Sequence, residues 1–173
     1  EIEVDPEVRV VVLTGAGETY CAGQELKEYF RGLDDDPAER RRASEASERW
    51  RNRRLATFNK PTIAMVNGYC IGGGFTQTLS CDFALAAEEA IFCLSEVNWG
   101  ILPGGLVSKK LVEAVRFRDA MLYACTGRAF DGKRAAEIGL VNFAVPGDYL
   151  RQETVALAVE LMEKNPEVLR ATK

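Results

Sequence analysis

The hydrophobic pattern divides the chain into short apolar runs separated by longer stretches with helical spacing. Residues 8–13 (VRVVVL) and 61–66 (PTIAMV) are compact apolar runs that read as strands, the second a buried one bounded by Lys60-Pro61 and Gly68. Residues 83–87 (FALAA) and 91–94 (IFCL) read the same way, with Glu88-Glu89 in the turn between them, and 140–145 (LVNFAV) is a further strand ending at Pro146. Between these runs the spacing predicts helices. A short one covers residues 24–30, with Leu26, Tyr29 and Phe30 on one face. Asp36 is a good N-cap and Pro37 suits a first helical position, so a long helix runs from there to about residue 58. Further helices are predicted at 75–82, 106–115 and 119–125, the last with Gly127 as its C-terminal signal. Asp131 caps a helix over 132–138 that Gly139 stops, and 150–164 is ended by Asn165-Pro166 before a last helical start at 167–173. Alternating strands and helices give an α/β class with right-handed crossovers. With 173 residues and no internal repeat, linker or low-complexity stretch, residues 1–173 read as one domain.

Two of the strands run into loops rich in glycine. After 61–66 comes Asn67-Gly68-Tyr69-Cys70-Ile71-Gly72-Gly73-Gly74-Phe75-Thr76, which sets three consecutive glycines between a strand and a helix. Bare backbone there is free to take φ > 0 and to admit a close neighbour. The first amides of a helix lack internal partners and sit at its positive end, so the Gly73 N–H is placed to hold a negatively polarised oxygen. A tight turn or a close helix–sheet contact accounts for the same glycines equally well. The stretch Thr14-Gly15-Ala16-Gly17-Glu18-Thr19-Tyr20-Cys21-Ala22-Gly23-Gln24-Glu25-Leu26 follows 8–13 in the same manner. Two such loops can supply two amides to one oxygen, an oxyanion hole built from backbone. Gly15-Ala16-Gly17 is not a dinucleotide fingerprint, because Tyr20 stands at the sixth position and Ala22-Gly23 interrupts a helix.

Composition narrows the chemistry. There is no histidine, which excludes Ser-His-Asp and Cys-His triads, zinc motifs built on histidine, and any imidazole base. Proton transfer must fall to carboxylates, tyrosines, lysines or water. Glu96 follows a short apolar strand and precedes a loop rich in Gly and Pro, where a carboxylate is either partly desolvated, with raised proton affinity, or a cap for nearby amides. Arg40, Arg41, Arg42, Arg49, Arg51, Arg53 and Arg54, mixed with Glu39, Glu45 and Glu48, make either a phosphate-binding face or, as such patterns ordinarily do, a solvated helix laced with ion pairs. A net charge of -4 argues against a nucleic-acid footprint. No apolar run is long enough to span a bilayer and no basic-then-apolar leader is visible, so no membrane partner is expected. Five scattered cysteines without a C-x-x-C pair suit a reduced, cytoplasmic protein with buried thiols.

At these residues the chain resembles the crotonase, or enoyl-CoA hydratase/isomerase, superfamily. Ala22-Gly23-Gln24-Glu25-Leu26 is similar to its first oxyanion loop, and Asn67-Gly68-Tyr69-Cys70-Ile71-Gly72-Gly73-Gly74 to its second. Ala90-Ile91-Phe92-Cys93-Leu94-Ser95-Glu96-Val97-Asn98-Trp99-Gly100 is similar to the segment that carries the family's catalytic glutamate. Lys27-Glu28-Tyr29-Phe30, Ser95-Glu96-Val97-Asn98-Trp99-Gly100 and Asn165-Pro166-Glu167-Val168-Leu169-Arg170 resemble the hydroxycinnamoyl-CoA (feruloyl-CoA) hydratase-lyases more closely. The resemblance implies a spiral of ββα units, here without the N-terminal hairpin and the C-terminal helical region, and a homotrimer or dimer of trimers. It implies an acyl-coenzyme A substrate, no permanently bound cofactor and no metal. The thioester carbonyl would lie between the N–H groups of Gln24 and Gly73, with Ala22, Gly72, Trp99 and Lys27 as substrate-binding positions. Glu96 matches one of the two glutamates of ordinary hydratases, and Thr76 stands where the other would be, a place usually held by serine in the hydratase-lyases. Tyr29 matches a tyrosine that approaches the phenolic oxygen of the substrate. The implied reaction is hydration and retro-aldol cleavage of 4-hydroxycinnamoyl thioesters. The alternatives are enoyl-CoA hydration, a Δ3,Δ2-enoyl-CoA isomerase, which needs one glutamate, and a non-catalytic acyl-CoA-binding subunit.

Overall fold

The computed structural model describes residues 1–24, 32, 36–104 and 107–173. Its elements follow in the order β1 (Val11–Thr14), β2 (Thr19–Cys21), α1 (Pro37–Glu48), a π-helical continuation (Arg49–Leu55), β3 (Thr62–Val66), β4 (Tyr69–Ile71) and α2 (Gly73–Thr78). Then come β5 (Phe83–Ala87), β6 (Ile91–Cys93), a 3-10 turn (Ser95–Trp99), α3 (Val107–Ala114), α4 (Phe117–Thr126), β7 (Phe130–Asp131), α5 (Gly132–Glu137), β8 (Phe143–Val145), α6 (Gly147–Met162) and α7 (Pro166–Thr172).

The strands form two sheets. One is wholly parallel in the order β1-β3-β5-β8, and the other runs β2-β4-β6-β7 with only its last pair antiparallel. Each of β1, β3 and β5 is followed at once by a short strand of the second sheet. The chain therefore advances by one strand in both sheets at each turn, which is the spiral of ββα units. Buried strands of a parallel sheet carry continuous apolar runs, and Ile63, Ala64, Val66, Leu85, Ala86 and Ala87 are all in the core. Polar side chains close the turns of the spiral. Asn67 Oδ1 accepts from the Gly15 N–H at 3.0 Å while its Nδ2 donates to the Gly17 carbonyl at 2.8 Å. Asp82 Oδ2 accepts from the Thr62 N–H at 2.8 Å, and Asn142 Oδ1 from the Ala84 N–H at 2.9 Å. Gly68 is required by close approach: a methyl group on its Cα would lie 1.9 Å from the Glu18 carbonyl oxygen.

Several boundaries differ from the sequence reading. The first strand starts at Val11 and the last at Phe143, because Leu140 and Val141 are buried within a turn. The helix after the triglycine run starts at Gly73 and ends at Thr78, earlier than the span 75–82, since the glycines themselves form its first turn. The strands β2, β4 and β7 were not expected. The long helix does open on Pro37, with Asp36 Oδ1 accepting from the amides of Ala38 and Glu39. The helix expected over 24–30 lies almost wholly outside the described residues.

Candidate active site

The site is organised by α2. Gly72 precedes it with φ 51° and ψ -111°, a conformation that favours glycine, and donates its N–H to the Cys93 carbonyl at 2.9 Å. Gly73 is the first helical residue, so its N–H has no acceptor within the helix. Phe75, 1% exposed, fixes the helix from below: its ring meets Phe92 of β6 edge-on at 5.9 Å and Phe130 of β7 at 6.3 Å. One residue on, Thr76 is also 1% exposed, and its Oγ1 has no hydrogen-bond partner.

The loop after β2 meets α2 from the side. A methyl group on the Gly73 Cα would lie 3.7 Å from the Gly23 Cα, 3.8 Å from the Gln24 amide nitrogen and 3.0 Å from Arg51 Nη1. Glu96, in the 3-10 turn after β6, approaches from the third direction: a methyl group on the Gly72 Cα would lie 3.1 Å from its Oε1. Its Oε2 is buried without a partner. Burial pushes the Glu96 carboxyl above its ordinary range, and a backbone hydrogen bond opposes that only in part. The same burial, with Glu96 nearby, raises the Cys93 thiol.

Gln24, Gly73, Thr76 and Glu96 line one cavity of about 850 Å³, closed on further sides by Ile101, Leu102 and Gly104. Among the described residues, its other wall is α1 and the π-helical segment, which contribute Pro37, Arg40, Arg41, Ser44, Glu45, Ser47, Glu48, Arg51 and Asn52. These positions recur at helical spacing, so one face of the element forms the wall, and α1 buries no side chain at all. Arg41 pairs with Glu45 at 3.1 Å and Arg42 with Glu39, so the arginine-rich helix both carries ion pairs and faces the cavity. Sequence reasoning missed Asn52 and the serines; the polar recurrence at 41, 44, 48 and 52 along the predicted helix is also that of an ordinary solvated face.

Of the positions implied by resemblance, Gly72 stands behind the cavity against the Glu96 carboxylate. Ala22 is not on the cavity wall, and Trp99, 72% exposed, is not either. Tyr29 and Lys27 lie outside the described residues.

Comparison with known proteins bears on the family and the fold. Residues 1–173 match the enoyl-CoA hydratase/isomerase family, and the chain belongs to that family. It is 52% identical over 174 residues to a hydroxycinnamoyl-CoA hydratase-lyase of Pseudomonas fluorescens, an alignment covering 99% of this chain and 63% of that protein. Among solved structures, it is similar to an enoyl-CoA hydratase from Polaromonas sp. JS666, with TM-score 0.90 and 31% identity over 98% of this chain and 66% of the other. An enoyl-CoA hydratase from Bacillus anthracis gives TM-score 0.87 and 34% identity over 98% of this chain and 64% of that one.

Proposed function

We propose that the protein is an acyl-coenzyme A hydratase-lyase that acts on 4-hydroxycinnamoyl thioesters such as feruloyl- or coumaroyl-CoA. The observation that carries the reading is the meeting of Gln24, Gly73, Thr76 and Glu96 on one cavity. Its likeness to the Pseudomonas fluorescens hydratase-lyase supports the substrate class.

In this reading the thioester carbonyl sits between the N–H groups of Gln24 and Gly73, which stabilise the enolate as it forms. Glu96, with its raised proton affinity, takes a proton from water as the oxygen bonds to Cβ, and a proton is delivered to Cα. In the second half-reaction the β-hydroxyl loses its proton, the Cα–Cβ bond breaks, and the electron pair returns to the thioester as the enolate. An aromatic aldehyde leaves, and protonation of the enolate gives acetyl-CoA. Thr76 can orient the water or the β-hydroxyl but is too weak a base to replace a carboxylate. Tyr29 would meet the phenolic oxygen. Coenzyme A enters as part of the substrate, so no resident cofactor is needed. The family's trimeric assembly belongs to the same proposal, and exposed Trp99, Phe117 and Met121 are suited to a subunit contact.

Product analysis with feruloyl-CoA and with a 3-enoyl-CoA tests the reading. An aromatic aldehyde and acetyl-CoA are expected from the first. Release of neither, with conversion of the 3-enoyl thioester to its 2-enoyl isomer, would replace the lyase with an isomerase.

A further inference from the structure

We propose that Asn52 is a working part of the site: its side-chain oxygen accepts a hydrogen bond from an O–H group that enters the cavity shared with Glu96 and Thr76. The identity of the guest rests on the acyl-thioester reading, but the contact itself does not.

Buried polar atoms are nearly always hydrogen-bonded, and each exception needs a reason. Among the described residues, four buried side-chain polar atoms have no partner: Tyr20 Oη, Asn52 Oδ1, Thr76 Oγ1 and Glu96 Oε2. The residues that carry the last three line the same cavity. They come from three separate elements, the π-helical segment, α2 and the 3-10 turn, so no single local distortion explains them. Their chemistry specifies the guest. An amide oxygen and a carboxylate oxygen accept, while a threonine hydroxyl donates one hydrogen bond and can accept others. A hydrocarbon acyl chain would leave all three unpaired. Water or a hydroxyl group supplies the O–H donors they lack, and the neighbouring wall residues Ser44, Ser47 and Glu48 are polar as well. The π-helical segment that carries Asn52 is a rare geometry that occurs frequently at functional sites.

An O–H of this kind has two sources: the water that becomes the β-hydroxyl, or a hydroxyl already present on the acyl group. Asn52→Leu keeps the approximate shape and removes the acceptor. In the native full chain, this variant should unfold at an unchanged or higher temperature, because an unpaired buried acceptor has been removed. Its kcat/KM on 4-coumaroyl-CoA should fall about ten-fold or more. A fall in kcat on both 4-coumaroyl-CoA and cinnamoyl-CoA, with KM held, assigns the contact to the reacting water or β-hydroxyl. A fall on 4-coumaroyl-CoA alone assigns it to the ring hydroxyl. Asn52→Gln, which keeps an amide oxygen, should recover part of the loss. Activity within two-fold of wild type on both thioesters overturns the proposal, as does a lowered unfolding temperature with kcat and KM damaged together.

If the wild type turns over neither thioester, the catalytic reading fails by itself, and calorimetry then decides on Asn52. Wild type should bind 3-hydroxybutyryl-CoA about ten-fold more tightly than butyryl-CoA, and Asn52→Leu should lose that preference. An equal preference in both proteins overturns the assignment.

Discussion

Replacing Gly72 with alanine separates the two things this residue does. Its backbone sits at φ 51° and ψ -111°, where holding a side chain costs about 1–3 kcal/mol. In a domain of this size each kcal/mol shifts Tm by about 2–4 °C, so the variant should melt about 2–12 °C lower. The new methyl group would also lie 3.1 Å from Glu96 Oε1 and 3.4 Å from its carboxyl carbon. That carboxylate is the far end of a flexible side chain, so it gives way at little cost in stability. What it loses is position. A displacement of a few tenths of an ångström should lower kcat/KM about ten-fold, given that about 1 Å of misplacement can cost 10²-fold. Calorimetric unfolding and steady-state kinetics with feruloyl-CoA read the two effects separately. In a Glu96→Ala background the loss of Tm should persist, because strain does not need the carboxylate, while residual activity should fall no further. Wild-type Tm in Gly72→Ala refutes the strain argument. A further ten-fold loss in the double variant refutes the coupling to Glu96.

Glu96→Gln should lower turnover about 10²–10⁴-fold while coenzyme A thioesters still bind, and near-wild-type hydration would remove Glu96 from the mechanism. Because burial raises the folded-state pKa of Glu96, its stabilising contribution is full at low pH and is lost as pH rises from the ordinary carboxylate range through the folded value. At neutral pH Glu96→Gln should therefore unfold no more easily than wild type, and the acid limb of kcat/KM should lie above the ordinary carboxylate range; a limb within that range contradicts the desolvation. Tyr29→Phe should lower feruloyl-CoA cleavage about ten-fold or more while sparing hydration of crotonyl-CoA, and equal loss of both would favour a plain hydratase. Phe75→Ala, which empties the centre of the aromatic cluster under α2, should cost about 3–5 kcal/mol in denaturant unfolding, and a loss below about 1 kcal/mol would show that the cluster does not anchor the helix.

The parallel sheet was legible because burial on both faces writes its strands as unbroken apolar runs, as in TIAMV and FALAA. In the second sheet TYC, YCI and FD are too short for any period, and the glycines around them speak more strongly for loops. The same glycines hid the true start of α2, since glycine weighs against a helix interior while Gly73 and Gly74 need only fill its first turn. The two glycine-rich loops that reach the cavity could be found because close backbone approach requires glycine and leaves a readable motif, while Glu96 was singled out by the family resemblance of its segment. Asn52 could not, because a cavity wall made of Ser, Glu, Arg and Asn has the composition of an ordinary solvated helix face. Trp99 lies three residues beyond Glu96, and the 3-10 turn carries it out to the surface.

The two sides of the cavity are held to different degrees, and the difference suits what the proposed mechanism asks of each. Thr76 and Gly73 stand on a helix whose next side chain, Phe75, is locked among Phe92 and Phe130, themselves fixed on strands of the second sheet. Donors aimed at a developing charge act without reorganisation only if their support is rigid in this way. Along α1 the opposite wall has no comparable aromatic anchor among the described residues. No residue of α1 is buried, its ion pairs Arg41–Glu45 and Arg42–Glu39 are solvent-exposed, and pairs of that kind contribute only a few tenths of a kcal/mol. It is tied down at its far end, where Leu55 and Phe58 enter the core. Segments with few buried apolar contacts open at the low end of the local stability scale. The wall able to yield thus faces the wall that must not move, and Asn52 lies just ahead of Leu55, where the yielding wall becomes fixed.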